Sequence, residues 1–152
     1  MLKKAFAIVV KDMRVEFRTR YAINALLMFL LVSVAAVSVV VAEIELVPVL
    51  HAALLWLALF FSSMTGIAHS FVREEDGRTA PLLRLSAAGE VVFWGKFLVN
   101  LLILVMAALI ALPLYCLLMN IEFGSLEVHA LGLGLGVIGL SGATTIVSAI
   151  VS

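Results

Sequence analysis

Four stretches of the chain, Tyr21–Ala42, Val49–Val72, Phe97–Met119 and Ala130–Ser152, run for 22 to 24 residues each without a Lys, Arg, Asp or Glu. Nothing else in the sequence restricts the fold so severely. Wound as helices at about 1.5 Å per residue they reach roughly 33–36 Å, enough to cross a hydrocarbon core of about 30 Å. In lipid a continuous helix satisfies every backbone N–H and C=O internally, so runs of this kind are helices rather than strands. The predicted fold is therefore all-α: one polytopic membrane helix bundle over residues 1–152, with transmembrane segments at 21–42, 49–72, 97–119 and 130–152. Pro48 stands just ahead of the second span, and Pro113 is expected to kink the third. With 64% hydrophobic and 13% charged residues, the chain carries more apolar surface than a soluble domain of 152 residues can hide.

The net charge of zero hides a strong asymmetry. All ten Lys and Arg fall in two stretches, six between Lys3 and Arg20 and four between Arg73 and Lys96. The connections 43–48 and 120–129 hold no basic residue but carry Glu43, Glu45, Glu122 and Glu127. The positive-inside rule places the basic segments in the cytoplasm and the acidic ones outside. A cell inner membrane location with a cytoplasmic N-terminus is expected. Ala5–Val10 is too short for a cleavable signal and runs into Lys11, Asp12 and Arg14. Cys116 is the single cysteine, so neither a disulfide nor a multi-cysteine metal site is expected.

Residues 2–20 read as an interfacial amphipathic helix. At 100° per residue, Leu2, Phe6, Val9, Val10, Met13 and Phe17 fall within an arc of about 100°. Lys3, Lys4, Lys11, Arg14 and Arg18 gather on another side, interrupted by Ile8 and Val15. Such a helix would lie on the inner leaflet, with its cations near anionic headgroups, which makes membrane lipids an expected partner.

The segment 73–96 is the one long charged loop. Asp76-Gly77 reads as a turn, Thr79 as an N-cap, Pro81 as a first helical turn and Gly89 as a helix end. Leu82, Leu83 and Leu85 give the intervening short helix an apolar side between Arg78 and Arg84. A helix of this kind, held out into the cytoplasm, needs either the membrane surface or a soluble partner to cover that side.

The same segment carries acidic residues, a Gly with a hydroxyl residue close behind, paired leucines, a small residue and a Gly-Lys opening the next span. These are Glu74, Glu75, Asp76, Gly77, Thr79, Leu82, Leu83, Ser86, Gly95 and Lys96. The pattern resembles type-2 ABC exporter permeases and, within them, CcmB, the haem-exporter permease family of cytochrome c maturation. Lys11–Arg18, Leu54–Ser63 and the Gly-rich last span extend the likeness over essentially the whole chain. The sequence departs from the family pattern in lacking a Pro near Ala87 and in placing Arg78 between Gly77 and Thr79. The family is similar to a six-span permease, so a four-span chain that stops at Ser152 without a charged flank is expected to be truncated, lacking the last two spans.

The resemblance implies a division of labour. A separate CcmA-like ABC ATP-binding subunit would bind and hydrolyse ATP, and Glu74, Glu75, Asp76, Gly77, Thr79, Leu82, Leu83, Leu85 and Ser86 would form the loop that docks on it. CcmC-, CcmD- and CcmE-like proteins are further implied partners. Haem would be cargo rather than a firmly bound cofactor. The chain lacks G-x-x-x-x-G-K-[ST], so it is not itself a P-loop motor. The alternatives are an ABC-2 permease for lipid, polysaccharide or drug, or a membrane scaffold that transports nothing.

Gly134-x-Gly136-x-x-Gly139 matches a dinucleotide fingerprint in letters only, because it lies inside an apolar span with no preceding strand. Helix packing is the better reading. Gly132, Gly136, Gly139 and Ala143 recur at i, i+4, i+7 and i+11, a small-residue face that lets another span or a second copy approach closely in lipid. A homodimer or hetero-oligomer is expected. His129 and His51 are the candidate haem ligands, since a neutral imidazole can bind haem iron. A lone His at a helix end is more often interfacial or hydrogen-bonded to backbone. Asn100 is expected to bond to another helix. No catalytic constellation and no nucleic-acid partner are expected.

Overall fold

The structure, a computed structural model, describes residues 2–41, 44, 46–76, 89–121 and 126–151. They form five helices: α1 (Leu2–Thr19), α2 (Tyr21–Val41), α3 (Pro48–Asp76), α4 (Gly89–Met119) and α5 (Leu126–Val151). Four of them, α2 to α5, are long and apolar enough to cross a membrane. The chain is thus an all-helical, multi-pass membrane protein.

Two helices overrun their apolar runs. α3 continues past Val72 to Asp76, and α4 begins at Gly89, eight residues before Phe97. The physical reason is simple. Hydropathy marks where lipid ends, whereas a helix continues as long as its backbone bonds do. At 31 residues, α4 measures about 46 Å, so about 16 Å of it lies beyond a hydrocarbon core of roughly 30 Å. Gly89, read from sequence as a helix end, is the first residue of α4.

The helix ends have local causes. Pro48 opens α3, where its missing N–H is no loss, and the carbonyl of Val47 accepts from the Leu50 and His51 amides. α4 passes through Pro113 and ends at Asn120, whose φ of 50° is left-handed. The Ile121 amide reaches back to the Cys116 carbonyl at 3.1 Å, and Ile121 packs against the core. That is a Schellman stop with Asn in place of the usual Gly.

α4 is the hub, touching each of the other four helices. Its buried residues Val91, Gly95, Val99, Leu104, Ala108, Ala111 and Tyr115 follow helical spacing along one stripe. Around it, Leu30 and Val34 of α2, Leu55, Ala58 and Leu59 of α3, and Val137 of α5 complete the core. Ala58, Ala108 and Ala111 keep the axes close, as association by van der Waals packing in lipid requires. The outward faces are apolar as well: Val39, Leu109, Leu117, Leu135 and Ile150 are each more than two-thirds exposed. In water such a surface would drive aggregation. Against acyl chains it has no desolvation penalty to avoid.

Candidate functional site

Several polar side chains are buried inside this bundle, and many of them line the two seams where α1 and α5 each pack on α4. α1 has two working faces. Ile8, Asp12 and Glu16, spaced at i, i+4 and i+8 with Val9 alongside, turn inward. Ile8 and Val9 are buried, and Ile8 clusters with Val91 and Val92 at the start of α4. Phe6, Val10 and Phe17 lie on the other face and stay exposed. Ile8, which interrupts the basic side in the sequence, is therefore the residue that packs.

The inward face carries an ion pair. Lys96 Nζ lies 3.2 Å from Asp12 Oδ2, with side-chain exposures of only 9% and 12%. The other carboxylate oxygen, Oδ1, lies 3.0 Å from the half-exposed Lys11. Oδ2 is buried without an aligned hydrogen bond among the described residues, so its attraction to Lys96 is charge on charge. Such a pair is not a general source of stability, because both ions lose their hydration. Removing either partner leaves the other largely buried with less opposite charge to face.

Glu16, 2% exposed, works at the next corner. Arg20 has a left-handed φ of 54°, which ends α1 and lets α2 start at an angle. Glu16 Oε1 then accepts from the Ile23 amide at 3.0 Å. A carboxylate at this third amide of α2 satisfies an open donor and faces the positive end of the helix dipole.

One turn above Lys96 the seam passes to α5. Asn100 Nδ2 donates to Thr145 Oγ1 at 2.8 Å. Ser141 Oγ donates to the Phe97 carbonyl at 3.1 Å, and Thr145 Oγ1 donates to the Ser141 carbonyl at 2.7 Å. Asn100, Ser141, Thr144 and Thr145 are all buried. This interlock fixes the register of α5 on α4. Asn100→Leu will weaken the contact by only about 0.6 kcal/mol, and at most about 1.7, because interhelical hydrogen bonds in membranes are worth little on average. Thr145 also keeps its bond to Ser141. Unfolding of the purified protein in mixed micelles of rising SDS fraction measures the difference.

At the opposite end, His51 Nδ1 and the Tyr115 hydroxyl are hydrogen-bonded at 3.1 Å, with the rings edge to face. One ring nitrogen of His51 is therefore engaged by α4. His129 is exposed near the start of α5. Among the described residues no three His, Cys, Asp or Glu converge as metal ligands would.

The small-residue face of α5 divides. A Cβ on Gly136 would collide with the indole ring of Trp56, whereas among the described residues nothing lies within 4 Å of a Cβ on Gly132 or Gly139. Ala143 is exposed. Among the described residues, Gly136 is the one glycine of this face that serves a close approach. Of the loop residues, Glu74, Glu75 and Asp76 form the last turn of α3. Gly77, Thr79, Leu82, Leu83, Leu85 and Ser86 lie outside the described residues.

Sequence reading missed Asp12, Glu16 and Lys96 as a set. The available signal was two acids four residues apart, aligned with Ile8, in an otherwise basic helix. Comparison with known proteins adds one match and two negatives. The family model described as CcmB protein covers residues 3–152. No curated protein and no solved structure matches the chain.

Proposed function

The chain belongs to the CcmB protein family, and from that premise we propose that it is the membrane subunit of a haem exporter driven by a separate ATP-binding subunit. The family is one of membrane permeases of cytochrome c maturation, not of enzymes. The observation that carries the proposal is the match itself, which spans all five helices rather than one motif. The basic ends of the spans would face the cytoplasm of a cell inner membrane. The apolar face of α1, with Phe6, Val10 and Phe17 exposed, would rest in the inner leaflet.

Support for the docking role comes from the ends of two helices. Since α3 runs to Asp76 and α4 starts at Gly89, only residues 77–88 separate them. A subunit gripping Leu82 and Leu83 would hold the bases of two spans by a short tether. CcmC-, CcmD- and CcmE-like proteins would receive or deliver the haem, and a second copy or another chain would complete the pathway.

A strain deleted for the chain and complemented with either the parent or the Leu82→Arg/Leu83→Arg variant tests this reading. The parent will restore haem attachment to c-type cytochromes and co-purify with the ATP-binding subunit. The variant will lose both, with association weaker by about tenfold or more, since two buried anchors become charged. A deletion strain that attaches haem normally would reject haem export. Unchanged association would reject the docking segment.

A further inference from the structure

The Asp12–Lys96 pair joins the first helix of the chain to the base of a span 84 residues later, directly after the segment proposed to receive the ATP-binding subunit. Three contacts on one face of α1 have different partners. Ile8 meets Val91 and Val92 of α4, Asp12 meets Lys96 of α4, and Glu16 holds the Ile23 amide of α2. Gly95, beside Lys96, is buried. α1 thus bridges α4 to α2 at the end of the bundle where those helices begin.

We propose that Asp12 and Lys96 are positioning residues that form a permanent ionic joint, through which α1 moves as one body with the base of α4 and carries that movement to α2. The inference rests on the permease reading above. Two features argue for a joint that stays closed rather than a latch that opens. The pair is walled by the apolar contact of Ile8 with Val91, so opening it would expose that contact too. Separating the two ions would also give up their mutual attraction at a place where neither side chain is well hydrated. The link to α2 is equally short, because Glu16 is one turn beyond Asp12 and reaches the third amide of the next helix. A displacement of the α4 base therefore has a continuous path to a span that α4 also contacts in the core.

Charge reversal, alone and paired, is the test, made in the intact exporter in cells. Asp12→Lys and Lys96→Asp will each lower haem attachment to c-type cytochromes at least about tenfold. The ATP-binding subunit will still co-purify, because neither residue lies in the docking segment. Asp12→Lys combined with Lys96→Asp will recover most of the activity. Single variants with parental cytochrome levels would overturn the joint, and so would a double variant no better than the singles. Where a single variant fails to accumulate, the double variant still decides, since the joint requires it to accumulate and function.

A second measurement separates a permanent joint from a latch. With Cys116→Ala as background, Asp12→Cys and Lys96→Cys are bridged by a short bifunctional thiol reagent in the purified complex. The bridged complex will hydrolyse ATP within about twofold of the Cys116→Ala complex that keeps Asp12 and Lys96. A collapse of hydrolysis on bridging would show that the pair must open, and the proposal would fall. If the deletion strain itself attaches haem normally, the permease reading fails by its own test. The joint is then read from heat stability in detergent, which each reversal must lower by several degrees and the pair restore, and failure of that recovery overturns it.

Discussion

Gly136→Leu will destabilise the protein by about 1–3 kcal/mol, the usual penalty for forcing side-chain volume into a filled contact. The first added carbon already falls within the Trp56 ring, so either the indole swings away or α3 and α5 separate. Trp56 is partly buried against the core, and a bulky, rigid ring has few other rotamers open to it. SDS titration followed by helical circular dichroism measures the loss. In a Trp56→Ala background the same substitution will cost less, because the space exists, and that coupling identifies the contact. Gly139→Leu is the internal control. Among the described residues nothing lies within 4 Å of its Cβ position, and removing a helical glycine is favourable by up to about 1 kcal/mol. Equal effects at Gly136 and Gly139 would remove the Trp56 contact from the structure.

Glu16→Lys is expected to be costlier, about 3–5 kcal/mol, the range for leaving a buried charge uncompensated. It deletes the acceptor for the Ile23 amide and places an ammonium beside the positive end of α2. Glu16→Gln separates charge from capping. Its amide oxygen still accepts from the Ile23 amide, and the lost interaction with the dipole costs about 0.3–1 kcal/mol. Thermal unfolding in detergent will rank the proteins parent, Glu16→Gln, Glu16→Lys in falling order. A Glu16→Lys protein as stable as the parent would contradict the cap.

The bundle was legible because lipid imposes a length. An uncharged run of more than twenty residues has one inexpensive conformation, and the basic flanks order the runs. The helix ends were not legible at this level. Lys96 looked like the last residue of an aqueous loop, because hydropathy gives a cation no place among buried residues. Its partner Asp12 stands on another helix, and no local window contains both. Ile8 looked like a flaw in the basic side of α1 for the same reason, since a wheel scored for one apolar face hides a second. The glycine stripe on α5 was visible as a pattern, yet among the described residues only Gly136 of its glycines meets another side chain. Spacing shows which residues share a face, but which face turns inward depends on the neighbours. For α5 those neighbours are Asn100 and the Phe97 carbonyl, which hold Ser141 and Thr145 and so turn the opposite face inward.

The packing of α1 on α4 also sets a timetable for synthesis. Ile8 and Asp12 leave the ribosome more than eighty residues before Val91 and Lys96 exist. At about 5–20 residues per second the delay is roughly 4–17 s. Throughout that interval Asp12 is without Lys96, and α2 has already begun to enter the bilayer. The nascent helix must wait where its carboxylates stay hydrated and its phenylalanines do not, on the membrane surface, until α4 is inserted and rolls it into place. Chains arrested before Lys96 emerges should accordingly be cut within α1 by added protease, while chains released after α4 should resist.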